Sequence, residues 1–141
     1  MPEAILYYGF SIGNPEETDP WPFDEDFYEV ANDTWRKSHR PKEPDDNNNE
    51  RFDTPEWDDW REKLVDYEKT PENIEVSRSG YDDGTNYYVH CKCIQKSVEW
   101  DEQLTIGNTN QHPEADKWIK QFCEETGIPF QKPTWVLACN E

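Results

Sequence analysis

The 141-residue chain has the length of one ordinary domain, and its 32 acidic residues against 14 basic residues give a formal net charge of −18. That charge disfavours direct binding to nucleic acid or to an anionic membrane, because like charges repel. The sequence contains neither the roughly 20-residue apolar run of a membrane span nor the basic start of a signal peptide. It therefore predicts one acidic domain over residues 1–141, located in the cytoplasm.

The predicted core is aromatic. Ile, Val, Leu and Phe together supply 23 residues, which is few for a domain of this size, but seven Trp and seven Tyr compensate. An aromatic side chain buries roughly 150–250 Å², and disordered chains are poor in such residues. We therefore predict a folded domain whose core is built largely from rings.

The N-terminal half predicts a strand, a helix and a loop. Residues 4–12 are rich in aromatic and branched side chains and are followed by a turn-forming Gly-Asn-Pro sequence, which indicates a strand. Residues 24–37 have a helical spacing of apolar positions at Phe27, Val30, Ala31 and Trp35. Residues 38–53 hold two prolines and three consecutive asparagines, which is typical of a mobile loop.

The C-terminal half predicts two helices and several strands. A second helix begins at Thr54-Pro55 and ends before Pro71, and a third begins at His112-Pro113 and ends at Gly127. Between them, 74–79 and 87–94 form a predicted hairpin around a turn at 82–84, and 98–106 continues it or adds a strand. Residues 135–139 form a final strand.

This order predicts an α+β fold with a small, mostly antiparallel sheet and two or three helices packed on one face. If the first helix is treated as an addition, the order is β-α-β-β-α-β, which is the split βαβ order of ferredoxin-like sandwiches.

Two thiols are the candidate metal ligands. Side chains alternate along a strand, so Cys91 and Cys93 are expected on one face, with Cys123 and Cys139 as further sulfur ligands. Zinc sites, however, usually take paired cysteines two to four residues apart on a turn. Free, buried cysteines of the core explain the pattern better, so the sequence predicts no metal and no cofactor.

Catalysis has little support in the sequence. The nucleophile-elbow, phosphate-loop, dinucleotide and zinc-protease motifs are all missing. Of the three histidines, only His90 is placed like an active-site residue, and it faces away from Cys91 on the predicted strand. His39 falls in a basic stretch that we expect to be mobile. The sequence therefore favours a non-enzymatic protein.

Rows of carboxylates are the main functional signal. Acids recur every four residues along the first two predicted helices, although like charges at that spacing destabilise a helix slightly. Soluble small domains manage with a net charge of magnitude about 2–8, so −18 exceeds that need. A merely solubilising surface is the competing explanation. The candidate partner-binding residues are Glu25, Glu29, Asp33, Asp58, Glu62 and Asp66.

The leading hypothesis is an acidic binding protein that docks on a basic protein partner. In its sharpest form the protein is a nucleic-acid mimic that inhibits a nucleic-acid-binding enzyme, as phage anti-defence proteins do. The alternative is a small-ligand or metal-binding domain that uses the hairpin around Cys91 and Cys93.

Overall fold

A computed structural model describes residues 3–14, 22–44, 54–81, 84–99 and 111–140. Within these ranges it contains three helices and five strands, which confirms the predicted α+β class. None of the three helices combines the length and the apolar character that a bilayer crossing needs. The elements in chain order are β1 (Glu3–Gly13), α1 (Phe27–His39), α2 (Pro55–Glu68), β2 (Ile74–Tyr81), β3 (Gly84–Cys91), β4 (Lys96–Glu99), α3 (Pro113–Thr126) and β5 (Thr134–Asn140).

The sheet is organised around β1. Strand β5 pairs along one edge of β1, while β3 and β4 pair in succession along the other edge. Strand β2 pairs with the edge of β3 that faces away from β1, so the order of neighbouring strands is β2, β3, β1, β5. Strand β4 lies beside the same edge of β1 as β3, next to the end of β3. All of these described pairings are antiparallel. This adjacency is compatible with the split βαβ order. Buried residues of α1 and α3 share one core cluster with residues of β1, β2 and β3, so both helices pack on one face of the sheet.

The main core lies between that face and the helices α1 and α3, and it is rich in rings as predicted. Trp35 and Phe122 are fully buried, with ring centroids 5.3 Å apart. Because strand side chains alternate, every second residue of the central strands points into this core. The fully or almost fully buried members include Tyr8, Phe10, Trp35, Val76, Val89, Ile119 and Phe122.

Helix α1 differs from its prediction at both ends and on its packed face. It starts at Phe27 rather than residue 24 and continues to His39, so its last two residues belong to the predicted 38–53 loop. Val30, expected in the core, is 55% exposed, whereas Ala31 and Trp35 are buried. The described core cluster includes residues of α1 and none of α2. The first helix therefore contributes side chains to the core.

Helix α2 is attached mainly through aromatic side chains. Trp57 and Tyr67, near its two ends, are buried. Between them, the Trp60 indole N–H donates to the carbonyl oxygen of Pro41 at 3.2 Å. These contacts place the polar side of α2 at the surface.

The return strand of the hairpin has the predicted length but begins and ends three residues earlier than predicted, at Gly84 and Cys91. Strand β3 ends at Cys91, so Cys93 and Ile94 belong to the turn before β4 rather than to the strand. The predicted turn residues Asp82 and Asp83, the predicted strand beyond residue 99 and positions 45–53 of the loop lie outside the described residues.

Gly9 allows β1 and β3 to approach closely. It pairs with His90, and a Cβ atom at this position would lie 1.8 Å from the carbonyl oxygen of Val89. No side chain fits at that distance unless the backbone moves. Glycine is therefore required here by the strand spacing, and not by an unusual dihedral angle.

Candidate functional site

The structure places the six candidate carboxylates at the surface, but only one of the two predicted rows of three lies entirely on a helix. Glu25 precedes α1, in a turn where the Phe27 amide donates to the carbonyl oxygen of Asp24 at 3.2 Å. The first row is therefore wrong as predicted, because only Glu29 and Asp33 of its three members are helical. The second row, Asp58, Glu62 and Asp66, lies wholly on α2. All six side chains are exposed.

Lysines and arginines stand beside some of these acids. Asp33 lies 3.8 Å from Arg36, and Asp58 lies 2.9 Å from Arg61. Exposed pairs of this kind are worth about 0–1 kcal/mol each, so they hold the side chains only weakly. Glu62 and Asp66 form no ion pair with another described residue, and they remain available to an external cation.

The three described helices differ sharply in charge. Helix α1 holds two acids and two bases, α3 holds four acids and two bases, and α2 holds six acids and two bases. The described residues together contain 20 acids and 13 bases, so the other 12 acids and one base lie in the remaining segments. Within the described fold, α2 is therefore the most acidic helix.

A groove with an acidic rim lies between the start of α1 and the end of α3. Phe27, Val30 and Ile128 contribute its apolar wall, and its volume is about 190 Å³. Its lining also includes Asp24 and Asp26, and no lysine or arginine among the residues that the structure describes. A second depression of about 150 Å³ adjoins it and shares Ile128. The groove thus combines apolar surface with negative charge.

The two candidate thiols are in contact but are not equivalent. Their Sγ atoms are 3.5 Å apart, with Cys91 fully buried and Cys93 exposed. The prediction of two buried thiols on one strand is wrong for Cys93, because the chain leaves the strand after Cys91. Burial and the neighbouring Cys93 raise the pKa of the Cys91 thiol, which keeps it protonated.

A four-sulfur metal site has no support in the described side chains. Cys123 is buried on α3, where desolvation raises its pKa to about 12, and the side chain of Cys139 lies outside the description. Among the described residues, no group of three or more His, Cys, Asp or Glu side chains is arranged to hold a metal ion. Of the three cysteines whose side chains are described, Cys91 and Cys93 are the two that are in contact.

His90 faces away from Cys91, as the strand alternation predicts, but its environment is not that of a catalytic base. Its side chain is fully buried, and desolvation lowers its pKa to about 3, so the ring is neutral. Its Nε2 atom lies 2.7 Å from the Ser77 hydroxyl, which itself donates to Glu75 at 2.9 Å. Within the described chain Nδ1 has no partner. The serine proton is directed at Glu75, so this trio does not form a nucleophile–base pair.

His39 is a structural residue that the sequence did not reveal. Its ring stacks on Trp35 with centroids 3.5 Å apart. Nδ1 lies 2.7 Å from Glu72, and Nε2 lies 2.9 Å from Glu125. A neutral imidazole has one N–H, so only the doubly protonated ring donates to both carboxylates. His39 therefore ties α1 to the start of β2 and to α3, and it is not part of a mobile stretch.

Comparisons with known proteins add no family assignment to this geometry. No protein-family model matches the sequence, and no curated protein or solved structure shows significant similarity to it. The function is therefore inferred from this chain's own residues.

Proposed function

We propose that this protein is a non-enzymatic acidic binding protein that docks on a basic protein partner, with α2 as its principal contact. The observation that carries the proposal is the exposed carboxylate surface of α2, which has six acids against two bases. Asp58, Glu62 and Asp66 follow one line along this helix and point to solvent. Coulomb attraction to a basic surface would steer association and would weaken as salt is added.

The spacing of these carboxylates suits a surface that normally binds phosphates. Residues four apart on a helix rise about 6 Å along its axis, while one DNA strand presents a phosphate every 3.4 Å or so. The row alone is therefore about half as dense as a strand, and the flanking Glu56, Asp59 and Glu68 add further charge. In its sharpest form the protein is a nucleic-acid mimic that occupies the binding channel of a nucleic-acid-binding enzyme.

The groove beside α1 supports a protein as the partner. Protein interfaces combine apolar contacts at their centre with a polar rim. Val30 is 55% exposed beside Asp24 and Asp26, which gives such a combination. An apolar side chain flanked by lysine or arginine on the partner fits this groove better than a bare nucleic acid does.

The test is a binding measurement on an identified partner. The full chain is used to capture host proteins, and the Kd of each purified basic protein is then measured at rising salt. A variant with Asp58→Asn, Glu62→Gln and Asp66→Asn is expected to bind about tenfold more weakly, which corresponds to about 1.4 kcal/mol. Competition with duplex DNA for the same enzyme tests the mimicry.

A control with the same net charge makes this test specific. Glu43→Gln, Glu114→Gln and Glu124→Gln remove three exposed carboxylates that lie outside α2, and their combination is expected to change the Kd less than twofold. Equal losses for the two triple variants would show that net charge alone drives binding. Salt-insensitive binding, or none, would refute the proposal.

The contact between two sulfur atoms favours one alternative, a small-ligand or metal site at the hairpin. Cys91 and Cys93 are 3.5 Å apart and could supply two soft ligands. Metal analysis of the protein purified without chelator decides the metal form of this alternative. Less than one equivalent of zinc or copper per chain would eliminate a metal site.

A further inference from the structure

A three-residue insertion between β3 and β4 brings the two thiols together. On β1, two residues separate the positions that pair with His90 and Lys96. On the opposing chain, five residues, 91–95, separate the same two positions. The surplus residues form a turn in which the Ile94 amide donates to the carbonyl oxygen of Cys91 at 3.4 Å. The turn folds Cys93 back onto the end of β3.

The remaining contacts hold the buried member of the pair in place. The Lys92 amide donates to the carbonyl oxygen of Asn73 at 2.9 Å, and the Cys91 thiol donates to that of Pro71 at 3.6 Å. Cys91 is fully buried, while Cys93 is open to solvent at 3.5 Å from it. A disulfide bond is about 2.05 Å long. The remaining gap is about 1.5 Å, and Cys93 lies on the exposed turn that borders it.

We propose that Cys91 and Cys93 are a redox-reactive dithiol that a hydroperoxide converts into an intramolecular disulfide. The site and its oxidant are independent of the proposed docking function. Cys93 is the attacking residue because it is exposed, and Cys91 is the resolving residue because its sulfur lies in contact with the atom that becomes oxidised.

The two steps balance in atoms and electrons. The Cys93 thiolate attacks one oxygen of hydrogen peroxide, the O–O bond breaks, and hydroxide leaves and is protonated to water. Cys93 is thereby oxidised to a sulfenic acid. The Cys91 sulfur then attacks the Cys93 sulfur, the S–O bond breaks, and the departing hydroxide takes the Cys91 proton as a second water. Two thiols have been oxidised, and one peroxide has been reduced.

The burial of Cys91 fits its role as the second thiol. Desolvation raises the pKa of the Cys91 thiol, so Cys91 is a poor first nucleophile. The sulfenic acid on Cys93 forms in contact with the Cys91 sulfur, so the second step needs no diffusion. The bridge encloses a single residue, Lys92, so it constrains the unfolded chain little and is readily reduced by a dithiol. The modification is therefore reversible.

The sequence provides a direct assay, because trypsin cleaves after Lys92, between the two cysteines. The full protein is treated with hydrogen peroxide, its free thiols are alkylated, and it is digested and examined by mass spectrometry. Peptides 79–92 and 93–96 are expected to remain joined, and dithiothreitol is expected to separate them. Recovery of both thiols alkylated, or of Cys93 joined to another chain, would overturn the proposal.

Three variants separate the roles of the two sulfurs. Cys123→Ser, which leaves the pair intact, is expected to give the joined peptides, whereas the exposed Cys93→Ser change is expected to abolish them with Cys91 still reduced. Cys91→Ser is expected to leave Cys93 as a sulfenic acid that dimedone labels. Equal dimedone labelling of the wild type and Cys91→Ser would show that Cys91 does not resolve the intermediate.

Discussion

Acidification is expected to destabilise the protein through the buried His90. An exposed histidine of the unfolded chain has a pKa near 6.5, whereas burial holds that of His90 at about 3. Below pH 6.5 protons bind the unfolded chain but not the folded one. The contribution of the neutral ring is therefore fully present above pH 6.5 and is lost as the pH falls from 6.5 towards 3.

The size of the effect follows from the separation of the two pKa values. Each pH unit within that window costs about 1.4 kcal/mol. At about pH 4.5, two units below the unfolded value, the loss reaches about 3 kcal/mol. This is a large share of the 5–15 kcal/mol that usually separates folded from unfolded domains.

The assay is urea unfolding followed by tryptophan fluorescence between about pH 7.5 and 4.5. The matched variant is His90→Gln, whose side-chain amide can still donate to the Ser77 hydroxyl. The two proteins differ only at residue 90, so the difference between their slopes isolates His90. The expected difference is about 1.4 kcal/mol per pH unit. Parallel slopes, or an imidazole NMR signal of His90 that titrates near pH 6.5, would refute the burial argument.

Four further predictions address other parts of the fold and use urea unfolding as their measurement. Trp35→Ala should cost about 3–5 kcal/mol because it empties the main core, whereas Val30→Ala at an exposed position should change stability by less than about 0.5 kcal/mol; similar losses would contradict the observed burial. Gly9→Ala should destabilise by about 1–3 kcal/mol, since its Cβ meets the backbone of β3, and a neutral result would show that the strands can separate freely. Burial and the hydrogen bond to Asp116 raise the pKa of Tyr8 to about 12, so stability is lost as the pH rises from 10 towards 12. Tyr8→Phe should make this fall in the free energy of unfolding less steep, and an unchanged fall would exclude Tyr8 as its source. Glu68→Lys should stabilise the protein by about 0.3–1 kcal/mol by placing a positive charge at the end of α2, and a loss of stability would indicate an unrecognised contact.

The helix boundaries that could be predicted are those with local chemical signals. Thr54-Pro55 marks the start of α2, and Gly127 adopts the left-handed conformation, with φ 81°, that ends α3. The end of α1 also carries a local signal, because Pro41 disfavours a helical conformation at Arg40, which is extended. The packing of His39 in the last turn has no such signal, because its partners Glu72 and Glu125 are 33 and 86 residues away. No periodicity within one segment indicates those contacts.

At the candidate thiol site, too, nearby residues predict only part of the structure. Alternation along a strand correctly places His90 and Cys91 on opposite faces, because β3 is regular up to Cys91. It fails two residues later, because the pairing of β4 with β1 leaves three surplus residues in the connection. That register is set by a strand 80 or more residues earlier in the chain, so Cys93 could not be placed from its neighbours.

Helix α2 carries more negative charge than its own folding requires. The pairs Asp58–Glu62 and Glu62–Asp66 each cost a few tenths of a kcal/mol through like-charge repulsion, and Asp66 also lies near the negative end of the helix dipole. Asp58 forms an ion pair with Arg61, but Glu62 and Asp66 form none with the described residues. A basic partner would supply the missing positive charge. Replacing acidic residues of α2 by basic ones should therefore stabilise the isolated protein and weaken its binding to the partner. If the acidic surface only keeps the protein soluble, the same change should raise stability without affecting binding.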